Sequence, residues 1–370
     1  MKKCLLEIDC VVAVMLTAAC QDKRTATSEG VVWEIDPNEA QDTDLSEFVD
    51  SIFLVPLETL DESLIKSVTT LTYTGHKFYV NNSRSGIQVY GSNGKFLYST
   101  EKHRGPGPNE YRMALSFNVL PNDTLEILDV LFLRKYTYPK GVVHSSHLPH
   151  ELLPIGPCIR LNEDTLIFRS GEELKYYSQS KKKILKTLKD SPKKMPLGTS
   201  DPLYQLNGKL YHSPTYPSNE LYMLDENMEK KLVLQLDFGR YNFSMEDLPE
   251  NYDMRSFFKD WESDDRAYPF TKYVLDDVCI AFFQRNNDLY VAVKDKATNA
   301  TKVYRNRVKA RQQMMVPHYV CGDSLLHASE PFYLPYLIDT TLMRKPDIAR
   351  LDSVDEMDNP IIIIYKLKHS

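Results

Sequence analysis

The chain has 370 residues, of which 42% are hydrophobic, 26% charged and 11% aromatic, a balance that supports a buried core and excludes a disordered chain. Its net charge of −6 is mild for this length, so an overall phosphate-binding surface is excluded and nucleic acid is not an expected partner. In chain order, the first expected element is a leader over residues 1–19. Lys2-Lys3 give it a positive start, residues 11–18 an apolar stretch, and Leu16-Thr17-Ala18-Ala19 a small-residue approach to Cys20. The apolar stretch is far shorter than the ~20 residues of a membrane-crossing helix. Residues 20–45 read as a tether and lead-in, because 21–30 are polar and small.

Residues 46–370 are expected to form the propeller, and between Leu71 and Leu367 one phrase recurs about six times: a β-rich run, a turn built from Asn, Gly, Lys or Asp, and a second β-rich run. Its cleanest copy is Lys77-Phe78-Tyr79-Val80, Ile87-Gln88-Val89-Tyr90, the turn Asn93-Gly94-Lys95 and Phe96-Leu97-Tyr98. Asn-Gly between apolar runs is the strongest short hairpin signal. Copies are expected at 71–100, 117–148, 159–188, 203–238, 278–308 and from 319 to the end. Their turns recur at the ~40–50 residue period of propeller blades. The predicted fold is therefore all-β, a six-bladed β-propeller of four-stranded antiparallel blades.

Two stretches break the rhythm. Residues 244–268 are expected to form a short helical insertion, since Ser244-Met245-Glu246-Asp247 resembles a helix start and Met254, Phe257, Phe258 and Trp261 fall near helical spacing. Residues 331–359 are expected to form a second excursion of short helices, or a long loop. A propeller must also close, or its first and last blades expose unpaired edges. The apolar run 361–365 and the strand 52–57 are therefore expected to share one blade. Beyond the leader and Cys20, only Cys158, Cys279 and Cys321 remain. They form no complete disulfide framework; one pair could form if two blades bring their strands together, and otherwise all three read as buried small hydrophobes.

The leader resembles a bacterial lipoprotein signal, in which Cys20 is acylated and becomes the mature amino terminus; the alternative is ordinary secretion with cleavage near Ala19. It departs from that pattern in Glu7 and Asp9, and in Leu16, which stands one place further from the cysteine than usual. Residues 103–111, His-Arg-Gly-Pro-Gly-Pro-Asn-Glu-Tyr, follow Asn93-Gly94-Lys95-Phe96-Leu97-Tyr98 and are preceded by Val55-Pro56-Leu57-Glu58-Thr59. In this setting they resemble the six-bladed propeller lipoproteins of Bacteroidetes, relatives of the NHL-type propellers. Asn109 stands where that pattern has its last glycine, and a left-handed backbone there would suit Asn better than other residues. The resemblance covers residues 51–128 and the ending at Asn359-Pro360-Ile361. It implies export on a lipid anchor to the cell envelope, with the outer membrane as the expected site, and it carries no activity.

Several groups are candidate sites. In the Gly-Pro loop, His103, Arg104, Glu110 and Tyr111 would present polar groups to a ligand; the plainer reading is an inter-blade turn whose Tyr111 fills a gap. Trp261, in the acidic segment 260–266, would stack on a sugar or pack beneath a helix. His144, His147 and His150 invite a metal reading. Strand alternation splits them, with His147 opposite the other two, so no metal site is assigned. Lys181, Lys182, Lys183, Lys186, Lys189, Lys193 and Lys194 would meet an anionic surface, or would guard a blade edge. No nucleophile elbow, zinc-helix motif, phosphate loop or dinucleotide fingerprint is present. No cofactor is expected. The sequence thus favours an envelope-anchored binding or scaffolding propeller for a glycan, a peptide or a partner protein. Its rival is a glycan hydrolase or lyase whose site is gathered from several blades.

Overall fold

The computed structural model describes residues 30–42, 44–82, 86–190, 203–214, 217–247, 264–306 and 314–368. Two strands precede the first repeat, β1 (Val31–Glu34) and β2 (Val49–Pro56). The first blade comprises β3 (Val68–Thr74), β4 (Lys77–Asn82), β5 (Gly86–Gly91) and β6 (Phe96–Ser99). The second holds β7 (Ser116–Leu120), β8 (Thr124–Asp129), β9 (Phe132–Thr137) and β10 (Gly141–His147), and the third β11 (Ile155–Arg160), β12 (Thr165–Ser170), β13 (Glu173–Ser178) and β14 (Lys183–Lys189). The fourth holds β15 (Leu203–Leu206), β16 (Lys209–His212), β17 (Glu220–Leu224) and β18 (Lys230–Asp237), and the fifth β19 (Tyr268–Val274), β20 (Val278–Arg285), β21 (Asp288–Asp295) and β22 (Thr301–Asn306). The sixth is β23 (Tyr319–Cys321), β24 (Ser324–Ser329) and β25 (Ile361–Leu367), completed by β2. The fold is the six-bladed β-propeller that the repeats predicted.

Closure follows the expected pairing. β2 runs antiparallel to β25, from Val49 opposite Leu367 to Pro56 opposite Ile361. A strand from before the first repeat thereby completes the last blade, and the two ends of the ring share one hydrogen-bonded ladder. The apolar run survives here because a blade packs on both faces: Ile361, Ile362 and Ile363 are all fully buried. The same logic makes β20 apolar from Val278 to Phe283, all buried.

The lead-in is structured from Val31 onwards. β1 adds a fifth strand, parallel to β18, on the outer edge of the fourth blade. The indole N–H of buried Trp33 donates to Thr301 Oγ1 at 2.9 Å, and Gln41 bridges to Tyr304 on the fifth blade. Residues 31–48 thus cross the outer edges of two blades before β2 enters the sixth.

Three expectations need adjustment. The fifth blade starts at Tyr268, ten residues before the predicted start at 278, because its inner strand Tyr-Pro-Phe-Thr-Lys-Tyr-Val carries no alternating signal. Within the insertion, Met245–Asp247 is a single 3-10 turn; residues 248–263, including Trp261, lie outside the described residues. The second excursion carries short helices, as one of its two readings expected: α1 (Leu334–Leu337) and α2 (Lys345–Leu351). Cys158 and Cys279 are buried as expected, while Cys321 is exposed because it ends a strand at a turn; all three are free thiols. Among the described residues no helix is long and apolar enough to cross a membrane.

Candidate functional site

The second blade is flanked by two very different interfaces. Towards the first blade lies the Gly-Pro loop. Its ends are tied by the Tyr111 N–H donating to the His103 carbonyl and the Gly105 N–H donating to the Tyr111 carbonyl, both at 3.0 Å. Tyr111 is fully buried with Tyr79, Ile87, Tyr136 and Val142. Its hydroxyl meets Thr100 Oγ1, and burial pushes its pKa up to about 12. A side chain on Gly86 would sit 2.3 Å from that hydroxyl, so glycine is needed for the close approach.

The remaining polar members of the loop turn inward as well. His103 Nδ1 lies 3.1 Å from the Tyr136 hydroxyl. Arg104 donates to the Arg112 carbonyl at 3.3 Å. The Glu110 carboxylate folds back to accept the Gly107 N–H at 2.8 Å. A Cβ on Gly105 or Gly107 would come within 2.2 or 2.8 Å of that carboxylate, so these glycines make room for Glu110. Asn109 is not in the left-handed region and neither are Gly105 and Gly107, which corrects the expectation that Asn109 must tolerate a glycine's backbone. The loop brings His103, Arg104, Glu110 and Tyr111 together as a wedge between blades, while Trp261 cannot be placed beside them.

Towards the third blade the packing opens into a cleft of about 640 Å³. Its wall on the second blade is a cross-strand row: Glu126 on β8 faces Lys135 on β9, which faces His144 on β10. A register shift between Val142 and His144 makes this row possible. By adding one residue, the bulge sends Val142 to the buried face beside Tyr111 and His144 to the cleft. The opposite wall carries Asp164, Tyr177, Gln179, Ser180 and Lys182 from the third blade.

At the base of the cleft, Glu126 is fully buried and paired with Arg160. Arg160 Nε donates to Glu126 Oε2 at 3.1 Å and Nη2 to Glu126 Oε1. Nη2 also donates to Gln179 Oε1 at 2.8 Å, and Nη1 to the carbonyls of Asn162 and Glu163 at 3.0 and 2.6 Å. All five donors of a guanidinium are thereby engaged. Asp164 is also satisfied: Ser178 Oγ donates to one oxygen and the Ser180 N–H to the other at 2.7 Å. These bonds hold its carboxyl below the usual range. Lys135 and Lys182, by contrast, make no ion pair or side-chain hydrogen bond among the described residues. With Glu126 balanced by Arg160, the cleft keeps one carboxylate, Asp164, against the two ammonium groups of Lys135 and Lys182, so its net charge is positive.

The strand register puts His144 and His147 on opposite faces of β10, as expected, yet both border the cleft, and His150 does not join His144. His144 turns to the cleft and bonds Ser146 Oγ at 3.0 Å. His147 packs edge-on against Phe132, and His150 lies 5.9 Å from His147, not on His144. Pro149 ends the strand alternation, and the chain folds back there. Among the described residues no group of three or more His, Cys, Asp or Glu is arranged to hold a metal.

Away from the cleft, two buried ionisable clusters escaped the sequence reading. His212 and Asp190 pair at 2.6 Å, both fully buried, and burial outweighs the carboxylate in setting His212 below its usual pKa. Lys272 on β19 donates to the Ser218 carbonyl at 2.7 Å, and burial lowers its pKa to about 7. Neither strand carries a signal for these roles. Glu126 did leave one: a carboxylate inside Leu125-Glu126-Ile127-Leu128 has to find a buried cation.

Comparison with known proteins places this six-bladed propeller further. The chain belongs to the DUF4934 family, a domain of unknown function, whose family model matches residues 31–366. No curated protein matches it. Among solved structures it is similar to a Bacteroides fragilis protein provisionally named as exported, with 16% identity and a TM-score of 0.71, covering 92% of this chain and all of that one. Weaker likenesses are to Kluyveromyces lactis Hsv2, with 10% identity, a TM-score of 0.39 and coverage of 82% and 83% of the two chains, and to the extracellular domain of a hybrid two-component system from Bacteroides thetaiotaomicron, with 12% identity, a TM-score of 0.36 and coverage of 69% and 29%.

Proposed function

We propose that this protein is an exported binding propeller, held to the bacterial envelope by a lipid on Cys20, which takes its ligand into the cleft between the second and third blades. The observation that carries the reading is the cleft itself. At about 640 Å³, with side chains from two blades converging on it, it has the size and mixed lining of a ligand site. The Gly-Pro loop is spent on packing, so its four polar residues support the neighbouring interface. The Bacteroides fragilis neighbour named as exported agrees with the leader at residues 1–19. Cys20 stands eleven residues before Val31, a reach of at most ~40 Å for an extended tether.

A hydrolase would need one carboxyl kept protonated as general acid. Glu126 is locked to Arg160, and Asp164 is held ionised by its hydrogen bonds. Both observations favour binding over hydrolysis.

Hydrogen exchange of the mature protein with a panel of envelope polysaccharides and peptides tests the site. Protection of 144–148 and 178–182 is expected, and a ligand that protects only other blades overturns the assignment. Incorporation of labelled palmitate that disappears in Cys20→Ala tests the anchor; unchanged labelling refutes it.

A further inference from the structure

We infer that the cleft, together with the free edge of β10, takes up an extended acidic peptide segment as an added strand. The inference rests on the binding reading above and names the ligand class of that same site.

The first argument is a comparison of blade edges. The fourth blade's outer edge is covered by β1, the fifth's is bridged by Gln41, and Ile52 of the sixth's is bridged by Met343. The first blade ends in β6, only four residues long. The third ends in β14, which carries Lys183, Lys186 and Lys189. Short edge strands and lysines are the usual protections against unwanted pairing. β10 has neither: it is seven residues long, Gly-Val-Val-His-Ser-Ser-His, with no lysine and no proline. Among the described residues, no backbone group of 143–147 bonds to any element but β9. Beyond the bulge, His144 to His147 pair in unbroken register with Lys135 to Phe132, so a regular edge about four residues long, ~13 Å, is available to a partner.

The second argument is charge. Glu126 is balanced by Arg160, whereas Asp164, bonded to the neutral Ser178 hydroxyl and Ser180 N–H, keeps its single negative charge; two cations outnumber it. Those cations, Lys135 and Lys182, make no ion pair among the described residues. Ser145 and Ser146 of the edge also line the cleft, so the edge and the two lysines belong to one surface. A strand laid along β10 turns alternate side chains into the cleft, and carboxylates there answer the unpaired lysines. An anionic saccharide would answer the lysines but not the row of backbone groups. The edge therefore decides for a peptide.

The test is fluorescence anisotropy on the full mature chain, using a labelled nine-residue peptide of alternating Glu and Thr. Three further probes accompany it: the same peptide with Lys for Glu, the acidic peptide with alternate amides N-methylated along either edge, and an oligogalacturonate. The acidic peptide is expected to bind, more weakly as salt rises, while the Lys peptide does not. Methylation along one of the two edges, and the double variant Lys135→Ala/Lys182→Ala, should each weaken binding about tenfold or more. Absence of binding by the acidic peptide overturns the inference, as does unchanged affinity after methylation of both edges in turn. If the oligogalacturonate binds with the same lysine dependence and the peptide does not, the cleft stands as a site and the peptide falls. The peptide arms do not depend on how the variant folds.

Discussion

Against the first blade, the second packs Tyr136 and Val142 around the buried ring of Tyr111. Against the third, it sets Glu126, Lys135 and His144 opposite Asp164, Gln179 and Lys182, and a cleft of about 640 Å³ remains. The same four strands make both contacts. The difference lies in what fills the gap between two twisted sheets: a large aromatic on a loop closes it, whereas charged groups that need partners and water hold it open. One bulge at Val143 divides the two regimes, sending one side chain to the packed side and the next to the wet one.

This contrast can be broken or sharpened experimentally. The largest effect should come from removing what both interfaces depend on. Deleting residues 359–370 takes away β25, the partner of both β24 and β2; cooperative unfolding should disappear, and a sharp, unchanged melting transition would show that the ring closes some other way. Next, Tyr111→Ala should cost about 3–5 kcal/mol by leaving an aromatic-sized hole, against about 1 kcal/mol for Tyr111→Phe, which loses only the bond to Thr100. Denaturant midpoints at constant slope measure both.

On the wet side, Arg160→Ala should cost about 3 kcal/mol by stranding Glu126 in a buried position. The pair Glu126→Gln with Arg160→Met should recover much of that loss, which a mere cavity would not. The smallest effect belongs to the lysines. Lys135→Ala and Lys182→Ala should change stability by no more than about 0.5 kcal/mol, although they weaken ligand binding. A large loss of stability would mean that the lysines hold the cleft together.

Acidity offers one more comparison, between this region and the blades beyond it. Lys272 is lowered by burial to about 7, and His327 by burial to about 4. In each case the unfolded chain binds the proton more tightly than the folded one, so acid favours unfolding. Stability should therefore fall as pH drops from ~10 to 7 through Lys272, then again from ~6.5 to 4 through His327. Lys272→Met should flatten the upper part of that slope, by an amount on the order of 2 kcal/mol or more. Melting temperatures across this range read it directly, and an unaltered slope in the variant would assign the effect elsewhere.

Much of the architecture was written locally. The alternating runs, the Asn93-Gly94 turn and the apolar stretch at 361–365 dictated six blades and their closure, because period-two burial and turn chemistry act over a few residues. The Gly-Pro loop was legible as a turn that seats Tyr111, since glycine, proline and tyrosine there act on near neighbours. The inner strand of the fifth blade was not legible, because its Lys272 and Pro269 follow the demands of adjacent blades and not a repeat. The cleft was least legible of all. His144 and Lys182 were noticed for separate reasons, 38 residues apart in sequence, and only the packing of two blades and a single extra residue in β10 brought them to one surface. A bulge has no signature in composition, and the pairing of Glu126 with Arg160 is a contact across blades, so the charge balance of the site was decided by the tertiary structure alone.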